Sequence, residues 1–316
     1  MRRTLPLLVT ATLLFAACSG SDDNASDSSA STVEPSDTSE TAPDTSDTGI
    51  DGSVTPPATN PDKPDVEVPD EVPTELQVTV IEEGTGQAAE AGDTVIVDYV
   101  GVRTRDGVEF DNSYDRFEPL PLVLGQGEVI AGWDQGLVGV QGGSRVRIDI
   151  PSDLAYGAES RGEIIGENEA LTFLIDVRAV VAPADPADEP AEPGVDPSEG
   201  ATGVTTDVLR EGDGDVLEPG QSAIVQFVLF RGDNGVALQS SWTAPPQPLT
   251  YTDELFPPLY EGMDGMRVGE RRAITFPPQY PEFGFGPEGN PTNGLPAETD
   301  LVIVVDLVAV WGEPAS

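Results

Sequence analysis

The sequence predicts an α+β protein built from two domains of one kind, each a twisted antiparallel sheet wrapped around a short helix. Three observations predict it. Residues 74–181 and 203–316 repeat one order of strand, turn and glycine signals, and equivalent positions stay at a nearly constant separation. Each block alternates β-branched and polar residues, as in Val95-Ile96-Val97-Asp98-Tyr99 and Ala223-Ile224-Val225-Gln226-Phe227. Between the strands of the first block, Gly125-Gln126-Gly127-Glu128 leads into a stretch where Ile130, Trp133 and Leu137 fall at i, i+3 and i+7. That spacing puts them on one face of a helix of about two or three turns, which is too short to stand without tertiary packing. Trp133 is therefore expected to point into the hollow of the curled sheet.

Composition narrows the chemistry before any motif is read. The 316 residues carry a net charge of −42 and no His. Nucleic acid is thereby an unsuitable partner, and His-dependent triads, bases and metal sites are excluded. The single cysteine, Cys18, cannot form an intramolecular disulfide or a Cys-based zinc site. No cofactor or metal is expected.

Taken in order, residues 1–18 read as an export signal. Arg2 and Arg3 provide the positive start, Leu5 to Phe15 the apolar core and Phe15-Ala16-Ala17-Cys18 the processing site. This end resembles a bacterial lipoprotein signal, which implies lipidation of Cys18, anchorage to the cell membrane and an extracytoplasmic location. Residues 19–73 turn abruptly to Ser, Thr, Asp, Glu and Pro, with Lys63 as the only basic residue. Such a segment is expected to be a disordered, self-repelling tether. Residues 182–202 form a second, Pro-rich linker that should be stiffer.

Within each block the elements follow in parallel. A short strand reaches an Glu-Gly turn (Val78 to Gly84; Asp207 to Gly212), and an alternating strand and an Asp/Gly turn come next. Gln141-Gly142-Gly143-Ser144-Arg145 and Arg267-Val268-Gly269-Glu270-Arg271 precede strands that end at Pro151 and Pro277. Both blocks close on an apolar strand, Leu171 to Val177 and Leu301 to Leu307.

Several of these words together resemble the FKBP-type peptidyl-prolyl isomerases. In the first block they are Val97-Asp98-Tyr99-Val100-Gly101, the run Gly107 to Arg116 with Phe110-Asp111, the Gly125 to Gly136 helix, Ile150-Pro151-Ser152-Asp153-Leu154-Ala155-Tyr156-Gly157 and Leu171-Thr172-Phe173. The resemblance implies a prolyl pocket lined by Tyr99, Phe110, Asp111, Val129, Ile130, Trp133, Tyr156 and Phe173, with Trp133 as its floor. It also implies that Arg116 reaches back to Asp111 and Tyr99, and that Ile164 and Ile165 sit on a loop over the rim. Leu120 stands where the family often has an aromatic, which should loosen one wall. The Ile130 N–H and the Tyr156 hydroxyl would be the donors to substrate. Implied partners are proline-containing unfolded or exported polypeptides and, as inhibitors, macrolides.

The expected activity is peptidyl-prolyl cis-trans isomerisation that assists the folding of exported proteins. It suits a chain without His, because rotation about X-Pro breaks no bond and faces a barrier of ~18–20 kcal/mol set by amide resonance. The alternative is a proline-peptide-binding chaperone or interaction module with little turnover. The second block keeps the frame and changes the site: Leu238-Gln239 replace Phe-Asp, Leu259 the floor Trp, and Phe227 and Phe283 two Tyr. Leu255-Phe256-Pro257-Pro258 is expected to break the start of its helix. Trp242, Trp311 and the Gly284-Phe285-Gly286-Pro287 loop are candidates for a surface contact, with core packing the more ordinary use of a Trp.

Overall fold

The computed structural model describes residues 60–281, 284–292 and 294–315. The export signal, Cys18, most of the acidic tether and Phe283 lie outside the described residues. The first sheet is built from β1 (Gln77–Glu82), β2 (Thr94–Arg103), β3 (Glu109–Asn112), β4 (Leu120–Val123), β5 (Arg145–Ile150) and β6 (Leu171–Val181). Its order is β1-β5-β6-β2-β3, with β4 also on β2, and every pairing is antiparallel. The second sheet repeats the plan with β7 (Thr205–Arg210), β8 (Ser222–Arg231), β9 (Ala237–Ser240), β10 (Pro248–Thr250), β11 (Arg271–Phe276) and β12 (Leu301–Trp311).

Alternation decides what each sheet buries. On β2 and β6, Val95, Val97, Tyr99, Phe173, Ile175 and Val177 face inward with Val146, Ile148 and Ile150 of β5. Against this concave face lies α1 (Ala131–Gly136). At six residues it is shorter than the two or three turns expected, because Ile130 is already extended and serves as N-cap while Leu137 serves as C-cap. Burial of Trp133 and Leu137 holds it in place. Gly132 and Gly136 face the sheet and let the helix settle onto β5. A β-carbon on Gly132 would lie 2.4 Å from Ile150.

The second block contains α2 (Pro257–Gly262), of the same length as α1. The expected break does not occur. Pro257 and Pro258 occupy the first helical positions, where the missing N–H has no intrahelical acceptor to lose and the fixed φ is already helical. Gly262 repeats the close approach, 2.5 Å from Ile274 to a built β-carbon.

The outer faces of both sheets are covered as well. The tether was expected to run to Pro73, but from Asn60 the chain lies on the first sheet. Val66 and Val68 pack on Val100, Val102 and Tyr114, and Lys63 bonds Asp115 and Glu109. The linker does the same for the second sheet and is not a free spacer. Val195 and Trp242 pack on Val228, Phe230, Val302 and Val304. Ser198 bonds Gly232 and Asp300, and Asp188 accepts from Arg271. A few valines at the right register suffice to dock an otherwise acidic, Pro-rich segment.

Charged groups on the first outer face form a closed network. Asp176 accepts two bonds from Arg145, at 2.6 and 2.8 Å, and one from Tyr114 at 2.6 Å. Burial opposes its charge, but Arg145 and Tyr114 outweigh that and hold the carboxyl below its ordinary range. Ile96, Ala179 and Val181 of the first block meet Ile224, Val308, Ala309 and Trp311 of the second in one apolar cluster. Trp311 is half-buried against this cluster, and Trp242 is half-buried against the outer face of the second sheet. Phe285, a candidate for surface contact, is 6% exposed and belongs to the second core.

The helix seat yields a test with an informative sign. Gly132→Ala should gain about 1 kcal/mol of helix propensity if the site is roomy. The 2.4 Å approach to Ile150 predicts instead a net loss of about 1–3 kcal/mol from overpacking, read from urea unfolding midpoints.

Candidate active site

The site grows from three neighbouring segments. β2 supplies Tyr99, α1 supplies Trp133 and β6 supplies Phe173, all facing the same hollow. Their rings meet edge to face: Tyr99 and Trp133 lie 5.2 Å apart at 84°, Trp133 and Phe173 5.1 Å at 88°. Phe110 of β3 continues the set, 5.6 Å from Phe173 at 88°. These are the preferred quadrupole geometries, so the floor is rigid as well as apolar. Gly101 makes the arrangement possible. A β-carbon there would lie 2.7 Å from Phe173 and 2.8 Å from Phe110, so only glycine leaves room for both rings over β2. Gly101 closes the run Val97-Asp98-Tyr99-Val100-Gly101, and nothing in that run by itself marks this role.

A polar cluster borders the aromatic floor. The Tyr99 hydroxyl donates to Asp111 at 2.5 Å, and Arg116 donates to Asp111 at 2.6 Å and to the Tyr99 oxygen at 2.8 Å. Asp111 is thus pinned by two donors while remaining half-exposed, as the resemblance implied. Burial, with the hydrogen bond to Asp111 second, pushes the Tyr99 phenol up to about 12. Burial works against the Arg116 charge, yet its bonds to Asp111 and Tyr99 prevail and raise it further.

Val129, Ile130, Leu120 and Tyr156 are half-buried and pack on the same core. As N-cap, Ile130 uses its carbonyl to accept from Trp133 and Asp134, while its own N–H has no acceptor among the described residues. Asp134 in turn accepts from Gly125 and Gly127 and folds the glycine run back over the helix start. The Tyr156 hydroxyl likewise has no partner among the described residues, while the Arg161 guanidinium lies 5.0 Å above its ring. The buried indole N–H of Trp133 is also unpartnered.

The rim loop departs from expectation. Ile164 and Ile165 were both expected over the rim, but only Ile164 is exposed; Ile165 is 6% exposed and joins the core. Arg161 and Ile165 exchange backbone bonds, and neighbours in extended chain point to opposite sides. Arg103 fixes the loop by donating to the Ile164 carbonyl at 2.9 Å.

Two hollows lie elsewhere. One of about 190 Å³ is bounded by the ion-paired Arg145, Asp176 and Arg178 with Trp311, and one of about 480 Å³ by Val78, Val80, Val138 and neighbours. Neither joins an aromatic floor to a polar rim as the Trp133 cluster does.

In the second block the equivalent hollow is filled. Phe256 takes the Ile130 position and turns inward at 6% exposure. Its ring lies 5.4 Å from Phe276, 5.4 Å from Tyr280 and 5.6 Å from Phe285. Leu259 lies below, Leu238 packs on the same core, and Phe227 and Gln239 replace the Tyr–Asp pair.

Alkaline titration tests the packing of the buried phenols. Tyr99 and Tyr251 are both pushed to about 12 from 10.0, chiefly by burial, so the folded state keeps these protons where the unfolded chain releases them. The contribution of these two phenols to stability should be level below pH 10 and fall from pH 10 to 12, in urea midpoints followed with phenolate absorbance. Tyr99→Phe should remove part of the fall.

Comparison with known proteins identifies the family of both blocks. The family model described as FKBP-type peptidyl-prolyl cis-trans isomerase matches residues 85–178 and 214–308, together more than half of the chain. The chain is similar to the FK506-binding protein of Streptomyces anulatus, 46% identical over 121 residues that are 38% of this chain and 98% of that protein. It is also similar to the FK506-binding protein 1A of Neurospora crassa, 45% identical over 109 residues, 33% of this chain and 90% of that protein. The peptidyl-prolyl cis-trans isomerase FKBP10 of Mus musculus is 30% identical over 241 residues, 74% of this chain and 37% of that protein. The chain belongs to the FKBP-type peptidyl-prolyl cis-trans isomerase family and carries two copies of its domain.

Proposed function

We propose that the first block catalyses peptidyl-prolyl isomerisation in the hollow above Trp133, on exported polypeptides, and that the second block has no turnover. The observation that carries the reading is the combination of an edge-to-face aromatic floor with two donors that lack partners among the described residues, the Ile130 N–H and the Tyr156 hydroxyl. Amide resonance places negative charge on the carbonyl oxygen, and water stabilises that planar form. In a dry aromatic hollow the planar form loses this support, while the twisted, less polar amide loses little. The barrier falls by that difference. The proline ring lies on Trp133, Phe110 and Phe173, the two free donors hold the substrate backbone, and Asp111, pinned by Arg116 and Tyr99, orients the twisting bond. Leu120, Val129 and Ile164 border the substrate chain.

FK506, for which the similar proteins are named, and macrolides like it would occupy the same hollow. In the second block Phe256 occupies that space, and the polar rim is absent with Phe227 and Gln239. This favours a structural or partner-binding role there. The lipoprotein-like start of the chain supports anchorage through Cys18, with the folded blocks held outside the cytoplasm on the acidic segment.

Trp133→Leu tests the location of the activity, since the second block carries Leu259 at that position. In the full chain kcat/KM on a proline peptide should drop at least about tenfold with the fold kept, because the reactive geometry is loosened. Unchanged turnover would move the activity away from the first block. The wild-type rate should be level from about pH 6 to 8, because unperturbed carboxylates and Tyr do not titrate there and the chain has no His. Separately, Cys18→Ser should release the protein from the membrane fraction of its host, and retention would exclude the lipid anchor.

A further inference from the structure

Three residues of the candidate site, Phe110, Asp111 and Arg116, sit on an edge strand of the first sheet and on the turn that follows it. β3 is only four residues long and pairs with β2 alone. The turn after it leads through one 3-10 turn, Tyr114–Arg116, to Phe117 in a left-handed conformation at φ 53°. An edge strand and a strained turn need a further restraint if Arg116 is to meet Asp111 at 2.6 Å.

The segment that precedes the domain supplies the restraint. Lys63 Nζ donates to Asp115 Oδ2 at 2.7 Å and to Glu109 Oε1 at 3.2 Å. Asn60 donates from its backbone to Asp115 Oδ1 and from its side chain to the Tyr114 carbonyl. Asn112 Nδ2 bridges the same two carboxylates at 2.7 and 3.0 Å. Glu109 immediately precedes Phe110-Asp111, and Asp115 immediately precedes Arg116. One ammonium therefore ties the strand that carries Asp111 to the turn that carries its partner. Lys63 is the only lysine in the chain, and its side chain is 17% exposed although it lies outside both family-matched segments.

We propose that Lys63 is a positioning residue for isomerisation: by bridging Glu109 and Asp115 it fixes the spacing at which Arg116 and Tyr99 hold Asp111. Removal of the ammonium leaves two carboxylates facing each other across Asn112, and their repulsion opens the turn. Part-exposed ion pairs add little to global stability, so the effect belongs to local geometry rather than to the melting point. The proposal rests on the assignment of the active site to the first block.

The test compares full-length wild type, Lys63→Met and Lys63→Arg in two measurements. One is the kinetics on a proline peptide; the other is amide hydrogen exchange across residues 109–116. Lys63→Met is expected to lower kcat about tenfold with KM changed less than about twofold, because the aromatic floor is untouched while Asp111 loses its orientation. Exchange in 109–116 should quicken about tenfold in the same variant. Lys63→Arg should restore most of both, since it keeps the charge and the donors. Wild-type exchange in Lys63→Met would overturn the proposal, as would a rate loss that Lys63→Arg does not repair or that appears in KM alone. If Trp133→Leu leaves turnover unchanged, the assignment of the site fails, and the exchange comparison still decides whether Lys63 holds the turn.

Discussion

The structure depends on one contact, the seating of a six-residue helix in the hollow of a twisted sheet. A helix of that length has too few internal hydrogen bonds to persist in water. Trp133 and Leu137 hold it by burial, and Gly132 and Gly136 let its backbone approach Ile150 and Ile148. That approach sets the height of the Trp133 ring and with it the floor on which Tyr99 and Phe173 rest. The same helix leaves its first N–H groups without intrahelical acceptors, so packing that builds the floor also presents a donor at its edge. Fold and candidate site are therefore consequences of one seating.

The second block keeps that seating and packs the space above it differently. Gly262 meets Ile274 as Gly132 meets Ile150, and the helix begins and ends at equivalent places. A binding hollow is a packing defect, because its lining forgoes contacts that a filled core would make. Phe256 turns inward among Phe276, Tyr280 and Phe285 and removes the defect. Tyr99 and Asp111 need each other and Arg116 to stay satisfied at a half-buried rim, and Phe227 and Gln239 carry no such requirement.

Both sheets are covered on two sides, by a helix within and by an acidic, Pro-rich segment without. This second cover explains how Asp149, Thr172 and Asp176 sit buried on an outward face. They are paired with Arg147, Arg145, Tyr114 and one another beneath it. Val66 and Val68 on one sheet and Val195 on the other are small anchors, yet they convert linker-like composition into part of each domain.

Much of this was legible in the sequence, because the period of alternation fixes which residues of a strand face inward and the spacing of Ile130, Trp133 and Leu137 fixes a helical face. The repeat, the strand order along the chain and the grouping of Tyr99, Phe110, Trp133 and Phe173 all followed from such local regularities and from the resemblance they carried. Other features arise only when distant segments meet. Lys63 reads as a stray charge in a disordered composition until Glu109 and Asp115 stand beside it. Pro257-Pro258 reads as a helix break until the helix start falls on those two residues. Ile164 and Ile165 read alike until a backbone pairing turns one outward and one inward. Composition and periodicity constrain a residue through its neighbours in the chain, whereas these outcomes depend on neighbours in space, and that is what the tertiary structure alone decided.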